Sequence, residues 1–231
     1  MKARKPARPF VSVNFVITWD GRVSTRKFTP SDFTSKRDKR RLSEIRAGTD
    51  AVLVGASTLA ADRMTMGLAD PALRAARRAK RKPEYPLRII VSNSGRISPA
   101  LRVFEKDFSP IVIFSTTRMG PRTRPALARV ADVWLHEGPA VNLRAMLATL
   151  RADYRVKRVV CEGGPRLFRA LLAGQLVDEI HLTLSPRIFA GLGAPTLTGL
   201  AADFLPRSTH CTLRQMEVIE GECFLRYRVT A

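Results

Sequence analysis

The chain has 231 residues, 45% of them hydrophobic, which is enough for one sizeable core. Forty Lys and Arg against 20 Asp and Glu give a formal charge of +20. There is no run of about 18 apolar residues to cross a membrane, and Cys161, Cys211 and Cys223 make neither a disulfide framework nor a zinc spacing.

The basic segment 1–9 lacks the apolar stretch of a secretory signal, so it reads as a tail before a domain spanning 10–231. The three cysteines suit a reducing cytoplasm, the expected location. From Pro9 to Thr18 apolar and polar residues alternate, with Val11, Val13, Phe15 and Ile17 on one face; this predicts a strand, and Asp20-Gly21 a turn. Thr34 or Ser35 can cap a helix running to about Ala47, with Leu42 and Ile45 inward, a basic outer face and Gly48 as its stop. Ala51 to Val54 reads as a short buried strand, and Gly55-Ala56-Ser57-Thr58 turns into a second helix. Arg63 to Asp70 has no period and reads as a loop; Pro71 starts a helix continuing to Arg81.

Strands are predicted at Leu87–Val91, Pro110–Phe114 and Val130–Leu135, and a helix over Leu143–Leu150. Val159-Val160-Cys161 is another short buried strand. Glu162 ends it, Gly163-Gly164-Pro165 turns the chain, and Leu167, Phe168, Leu171 and Leu172 recur at helical spacing up to Gly174. Ile180, Leu182 and Leu184 then alternate in a strand, which completes a βαβ unit. A loop over 189–204 precedes two strands, Cys211–Ile219 and Glu222–Val229, joined at Glu220-Gly221 as a hairpin.

The βαβ unit carries the chemistry. A helix start offers unpaired backbone N–H groups and the positive end of the helix dipole. Two glycines let a phosphate approach the backbone, and Glu162 lies at the carboxyl end of a strand, where open α/β sheets place ligands. With Thr58, Ser92 and Thr116 at other strand ends, a polar rim for a dinucleotide is expected. Neither Gly-x-Gly-x-x-Gly nor Gly-x-x-x-x-Gly-Lys occurs, so any nucleotide site must use another architecture. His136, His181 and His210 have no ligand spacing, so no metal site is expected. The basic runs at 36–41 and 74–82 have few aromatics interleaved for base stacking, which argues for a solvated basic face rather than a nucleic-acid site.

Seven segments taken together resemble a known family. Arg8 to Gly21 resembles the opening strand and Asp-Gly turn of the riboflavin-biosynthesis reductases, a dihydrofolate-reductase-like group found alone or fused to a pyrimidine deaminase. Leu42 to Ala47, Asp50 to Gly55 and Thr58 to Asp62 are similar to further family segments, as are Glu162-Gly163-Gly164-Pro165, Leu176-Val177-Asp178-Glu179 and Ser185 to Phe189. The resemblance implies a three-layer α/β/α domain with a central mixed, mostly parallel sheet and a C-terminal hairpin. It also implies NADPH as cofactor, often a homodimer, and reduction of the ribosyl group of a phosphorylated aminopyrimidine to ribityl, with deamination left to a separate protein. By the same resemblance Gly163, Gly164, Pro165, Arg166 and Leu167 line the cofactor pyrophosphate. Thr58 and Asp62 lie on the nicotinamide side, and Ser92 and Asn93 make a further contact; Arg118 is assigned to the 2′-phosphate only from its charge after Thr116-Thr117. Glu162, Arg46, Ser31 and Asn14 face the substrate, Arg46 its phosphate, and Asp62 is the candidate for placing the proton-donating water.

Two departures stand out. Asn14 occupies a position that is usually Lys, and Arg63 to Gly67 lacks the arginine usual there, for which Arg63 or Arg74 could compensate. Two alternatives therefore stay open: a dihydrofolate or pterin reductase on the same scaffold, and a non-catalytic basic nucleotide- or RNA-binding protein.

Overall fold

The computed structural model describes residues 8–25, 33–191, 193–199 and 204–230. Its centre is a nine-stranded sheet in the order β5-β4-β3-β2-β6-β1-β7-β9-β8. The strands are β1 Phe10–Thr18, β2 Ala51–Gly55, β3 Leu87–Ser92, β4 Ile111–Thr116, β5 Asp132–His136, β6 Arg158–Cys161, β7 Glu179–Ser185, β8 His210–Ile219 and β9 Glu222–Thr230. From β5 through β7 every pairing is parallel; β9 and β8 add antiparallel strands at one edge.

The inner parallel strands β2, β3, β4 and β6 are buried on both faces, which is why they read as short continuous runs. Val11, Val13 and also Ser12 are almost fully buried in β1. On one face Val13, Leu53, Ile89 and Phe114 pack under helices α5 Leu143–Ala152 and α6 Pro165–Ala173. On the other, Val52, Val54, Ile90 and Ile113 pack with Leu59 of α2 Ala56–Asp62 and Leu127 of α4 Thr123–Ala128. Ile45 of α1 Lys36–Gly48 joins that second core, and α3 Pro71–Ala79 lies against α1. The expected three layers, mixed sheet and closing hairpin are all present. Glu220 and Gly221, at φ 51° and 82°, supply the two positive-φ residues that a tight hairpin turn needs.

From β1 the chain steps outward through β2, β3, β4 and β5, then returns to insert β6 between β2 and β1 before placing β7 on the far side of β1. The direction of winding reverses at the end of β6, and a doubly wound sheet opens a crevice at such a point.

Three details differ from the sequence expectation. Helix α4 and the 3-10 turn Arg102–Phe104 were not anticipated, because each is too short to express a period. The strand expected at 130–135 begins at Asp132, because Val130 still closes the α4 end by donating to Leu127 O. The basic run at 74–82 is only partly a solvated face. Arg77 is 1% exposed and donates to the carbonyls of Arg46, Ala47 and Thr49, capping the C-terminal end of α1. Arg74 is held by Glu84, stacks on Tyr85 and donates to the Leu68 and Ala69 carbonyls. Lys82 is held by Asp50.

Candidate active site

The crevice is built where β2 and β6 end. Beyond their last paired residues the two strands stay joined. Glu162 N donates to Leu53 O at 3.0 Å, and Gly55 N donates to Gly163 O at 2.8 Å. Gly163 sits at φ +104°, a conformation open to glycine, and the Gly163-Gly164 peptide is cis. A Cβ at Gly164 would collide with the Thr58 hydroxyl. The missing side chain of Gly164 makes room for the first turn of α2.

Both α2 and α6 begin without a side-chain cap. Pro165 occupies the first turn of α6 and has no N–H, while Phe168 N returns to Gly164 O. The backbone N–H groups of Arg166 and Leu167 have no partner among the described residues. This uncapped start suits an anion. Arg166 is exposed beside it, whereas the Leu167 side chain lies in the core against Phe168 and can contribute only its backbone.

Four neighbouring strand ends, of β4, β3, β2 and β6, share this edge and span about 14 Å at ordinary strand spacing. Ser92 ends β3 and accepts from Gly95 N. Asn93 Oδ1 accepts from Val141 N, and its carbonyl accepts from the Thr116 hydroxyl and from Arg118. Arg118 also donates to Pro139 O at 2.6 Å. The structure thus gathers Ser92, Asn93 and Arg118 at one place on the rim. The side chains of Ser92 and Asn93 serve the rim's own loops, while Arg118 stays exposed.

The acidic part of the crevice is more tightly organised. Arg46, in the last turn of α1, donates to both oxygens of Glu162, from Nε at 2.6 Å and Nη2 at 2.6 Å. Its Nη1 donates to Gly67 O at 2.8 Å. The two side chains are 13% and 4% exposed, so the pair is largely withdrawn from water. Arg46 is held above the ordinary arginine range. Burial works against its charge, and the Glu162 carboxylate more than offsets it. Asp62, at the end of α2, is pushed above the ordinary carboxylate range, first by burial and then by Glu162.

Asn14 follows the Val13–Cys161 register pair, which places it beside Glu162 on β1, and it stands opposite His181 on β7. Its half-buried side chain makes no hydrogen bond among the described residues. Ser31 lies outside the described residues. Arg63 is exposed on the rim of a cavity with Arg102 and Glu105, and Arg74 is committed as above. At that segment the structure instead offers the Gly67 carbonyl to Arg46. Sequence reasoning missed both this acceptor and the Arg77 brace. The i, i+3 spacing of Arg74 and Arg77 was the one signal, and it looked the same as a solvated stripe.

Residues 9–224 match the family model described as the RibD C-terminal domain. The chain is 30% identical over 223 residues to the 2,5-diamino-6-ribosylamino-4(3H)-pyrimidinone 5′-phosphate reductase of Methanothermobacter thermautotrophicus, covering 96% of this chain and 99% of that one. It is 30% identical over 217 residues to the reductase of the same name from Archaeoglobus fulgidus, covering 94% of this chain and 96% of the relative. Among solved structures, a pyrimidine reductase-like protein from Corynebacterium diphtheriae superposes with a TM-score of 0.82 at 19% identity, covering 96% of this chain and 92% of that one. With the match running from β1 into β9 and through the crevice at the ends of β2 and β6, the chain belongs to the RibD C-terminal domain family.

Proposed function

We propose that the protein is an NADPH-dependent reductase that converts the ribosyl group of a phosphorylated aminopyrimidine to ribityl in riboflavin biosynthesis. The observation that carries this reading is the juxtaposition at the end of β6. An acid pair, Glu162 and Asp62, stands beside an uncapped helix start whose N–H groups suit a pyrophosphate. The two relatives at 30% identity bear the name of that reaction.

When bound, a reduced nicotinamide supplies the hydride for C1′ of the opened sugar, in its imine form. The remaining chemistry is one proton delivered to the imine nitrogen, so that C=N becomes CH–NH. Asp62 is suited to donate that proton because burial and then Glu162 raise its affinity for a proton. Glu162, held by Arg46 through both oxygens, is an acceptor for the amino groups of a pyrimidine. The Arg166 and Leu167 N–H groups and the Gly163-Gly164 turn hold the pyrophosphate. Exposed Arg118 favours the 2′-phosphate of NADPH over NADH.

A homodimer through β8 fits the same reading. Leu213, Met216 and Val218 of this edge strand are 45%, 62% and 60% exposed, and such a row calls for a covering partner.

The test is NADPH oxidation with the ribosylaminopyrimidine 5′-phosphate as substrate and ribityl product identified by mass. Substrate-dependent oxidation is expected. No oxidation with this compound, but oxidation with dihydrofolate, would overturn the reading in favour of a pterin reductase.

A further inference from the structure

Arg46 spends three of its five N–H groups inside the protein, two on Glu162 and one on the Gly67 carbonyl, and keeps the others for a ligand in the crevice. Its direction therefore depends on where that carbonyl sits. Gly67 is pressed against Phe108: a Cβ built on it would stand 2.9 Å from Cζ of the ring, well inside contact distance. The ring is not free to swing away. Its centroid lies 4.5 Å from that of Tyr85 and 4.3 Å from the Arg88 guanidinium. Arg88 is almost fully buried and donates to the Val103 and Ser109 carbonyls. Tyr85 is covered in turn by Arg74, which donates to Leu68 O and Ala69 O. The loop is anchored as well, because Met66 and Leu68 on either side of Gly67 are both buried.

We infer that Phe108 is a positioning residue for the substrate side of the crevice. Held by Tyr85 and Arg88, its ring seats Gly67 so that the Gly67 carbonyl keeps Arg46 in line with Glu162. The inference rests on the reductase reading for its substrate but not for its geometry. With ring and loop both fixed, a side chain at position 67 is accommodated by turning the peptide, and the carbonyl then leaves Arg46.

Two experiments test it. The first measures kcat/KM for the ribosylaminopyrimidine 5′-phosphate, and NADPH affinity, in Gly67→Ala, Phe108→Leu and the double variant. Gly67→Ala should lower kcat/KM by about fivefold or more while NADPH affinity stays within about twofold, because only the substrate side is disturbed. In the Phe108→Leu background, where the ring is gone, the same glycine change should cost less than about twofold. A wild-type kcat/KM in Gly67→Ala would overturn the inference. An equal loss in both backgrounds would overturn it too, since the glycine would then act through some other neighbour.

The second experiment needs no substrate. The Arg46 Nε–H resonance, assigned by its absence in Arg46→Lys, reports the fork to Glu162. It should shift and exchange faster with water in Gly67→Ala, and should return to its Phe108→Leu position in the double variant. A lowered urea midpoint in Gly67→Ala with the resonance unmoved would mean that the contact serves stability alone, and would sink the inference. If wild type does not turn over the compound, the reductase reading fails, and the resonance still decides whether Phe108 governs Arg46.

Discussion

The acids of the perimeter and Asp62 of the crevice are treated in opposite ways. Asp178 is bound by Arg8 through both oxygens, at 2.6 and 2.9 Å, and by Val11 N at 2.7 Å. Asp50, pushed up by burial, is pulled below the ordinary carboxylate range by Lys82 and by the N–H groups of Lys157 and Arg158. Asp20 is lowered to about 2, chiefly by the Thr18 hydroxyl and then by the N–H groups of Phe189 and Ala190. Each of these acids pins a loop or tail and is met by donors. Asp62 has no hydrogen-bond donor among the described residues and shares its surroundings with a second acid. A fold gains little by leaving a half-buried carboxyl in that state, and perturbed acids of this kind cluster at functional sites.

The largest test of that contrast is Asp62→Asn. Turnover should fall by about 10²–10⁴, the usual worth of a placed acid. The same variant should gain stability near neutral pH. The folded-state pKa of Asp62 is raised, so its stabilising contribution is greatest below the ordinary carboxylate value and is lost as pH rises through the raised value. Asn removes that loss. Kinetics and urea midpoints at several pH values check both halves, and a D62N protein of full activity would erase the contrast.

Asp178→Asn should do the reverse. It breaks a charge-assisted fork and should cost about 1.5–3 kcal/mol of stability with turnover of the folded fraction retained. Chemical denaturation with an activity assay measures it.

Next comes the glycine turn. Gly164→Ala should cost about 1–3 kcal/mol through its collision with Thr58. Adding Thr58→Ala should recover most of that stability. If NADPH affinity then stays low in the double variant, the space is needed by the cofactor too; if affinity returns, the glycine serves only the α2 contact.

The smallest effect is expected at Asp20. Its pKa is lowered, so its stabilisation is fully present above the ordinary carboxylate value and fades as pH falls from there toward about 2. Asp20→Asn should flatten that acid-side slope and leave turnover at neutral pH unchanged, as an acid titration followed by circular dichroism would register.

The element order was legible in the residues because the inner parallel strands are short apolar runs ended by turns, while the strands at Pro9–Thr18 and Ile180–Leu184 alternate. Ala51–Gly55 and Arg158–Cys161 read correctly for this reason. The hairpin was equally plain at Glu220-Gly221. Glu162 and the glycine turn stood out from local chemistry alone, and Thr58, Asp62 and Arg46 were reached through the family resemblance. What could not be read was who holds whom. Arg46 and Glu162 are 116 residues apart, and nothing local distinguishes an arginine that waits for a phosphate from one that grips a carboxylate. Arg77 looked like one more surface cation in a basic helix until the packing of α3 on α1 turned it inward.

Sequence by itself determined the periodicities, the turns and the positions available for chemistry, because these depend on neighbours a few residues away. Tertiary structure alone decided that β6 inserts between β2 and β1 and that Gly164 faces Thr58. It also decided that Asp62 keeps an acid rather than a base for its neighbour. Those outcomes depend on which side chains the sheet brings together and how much water it leaves between them.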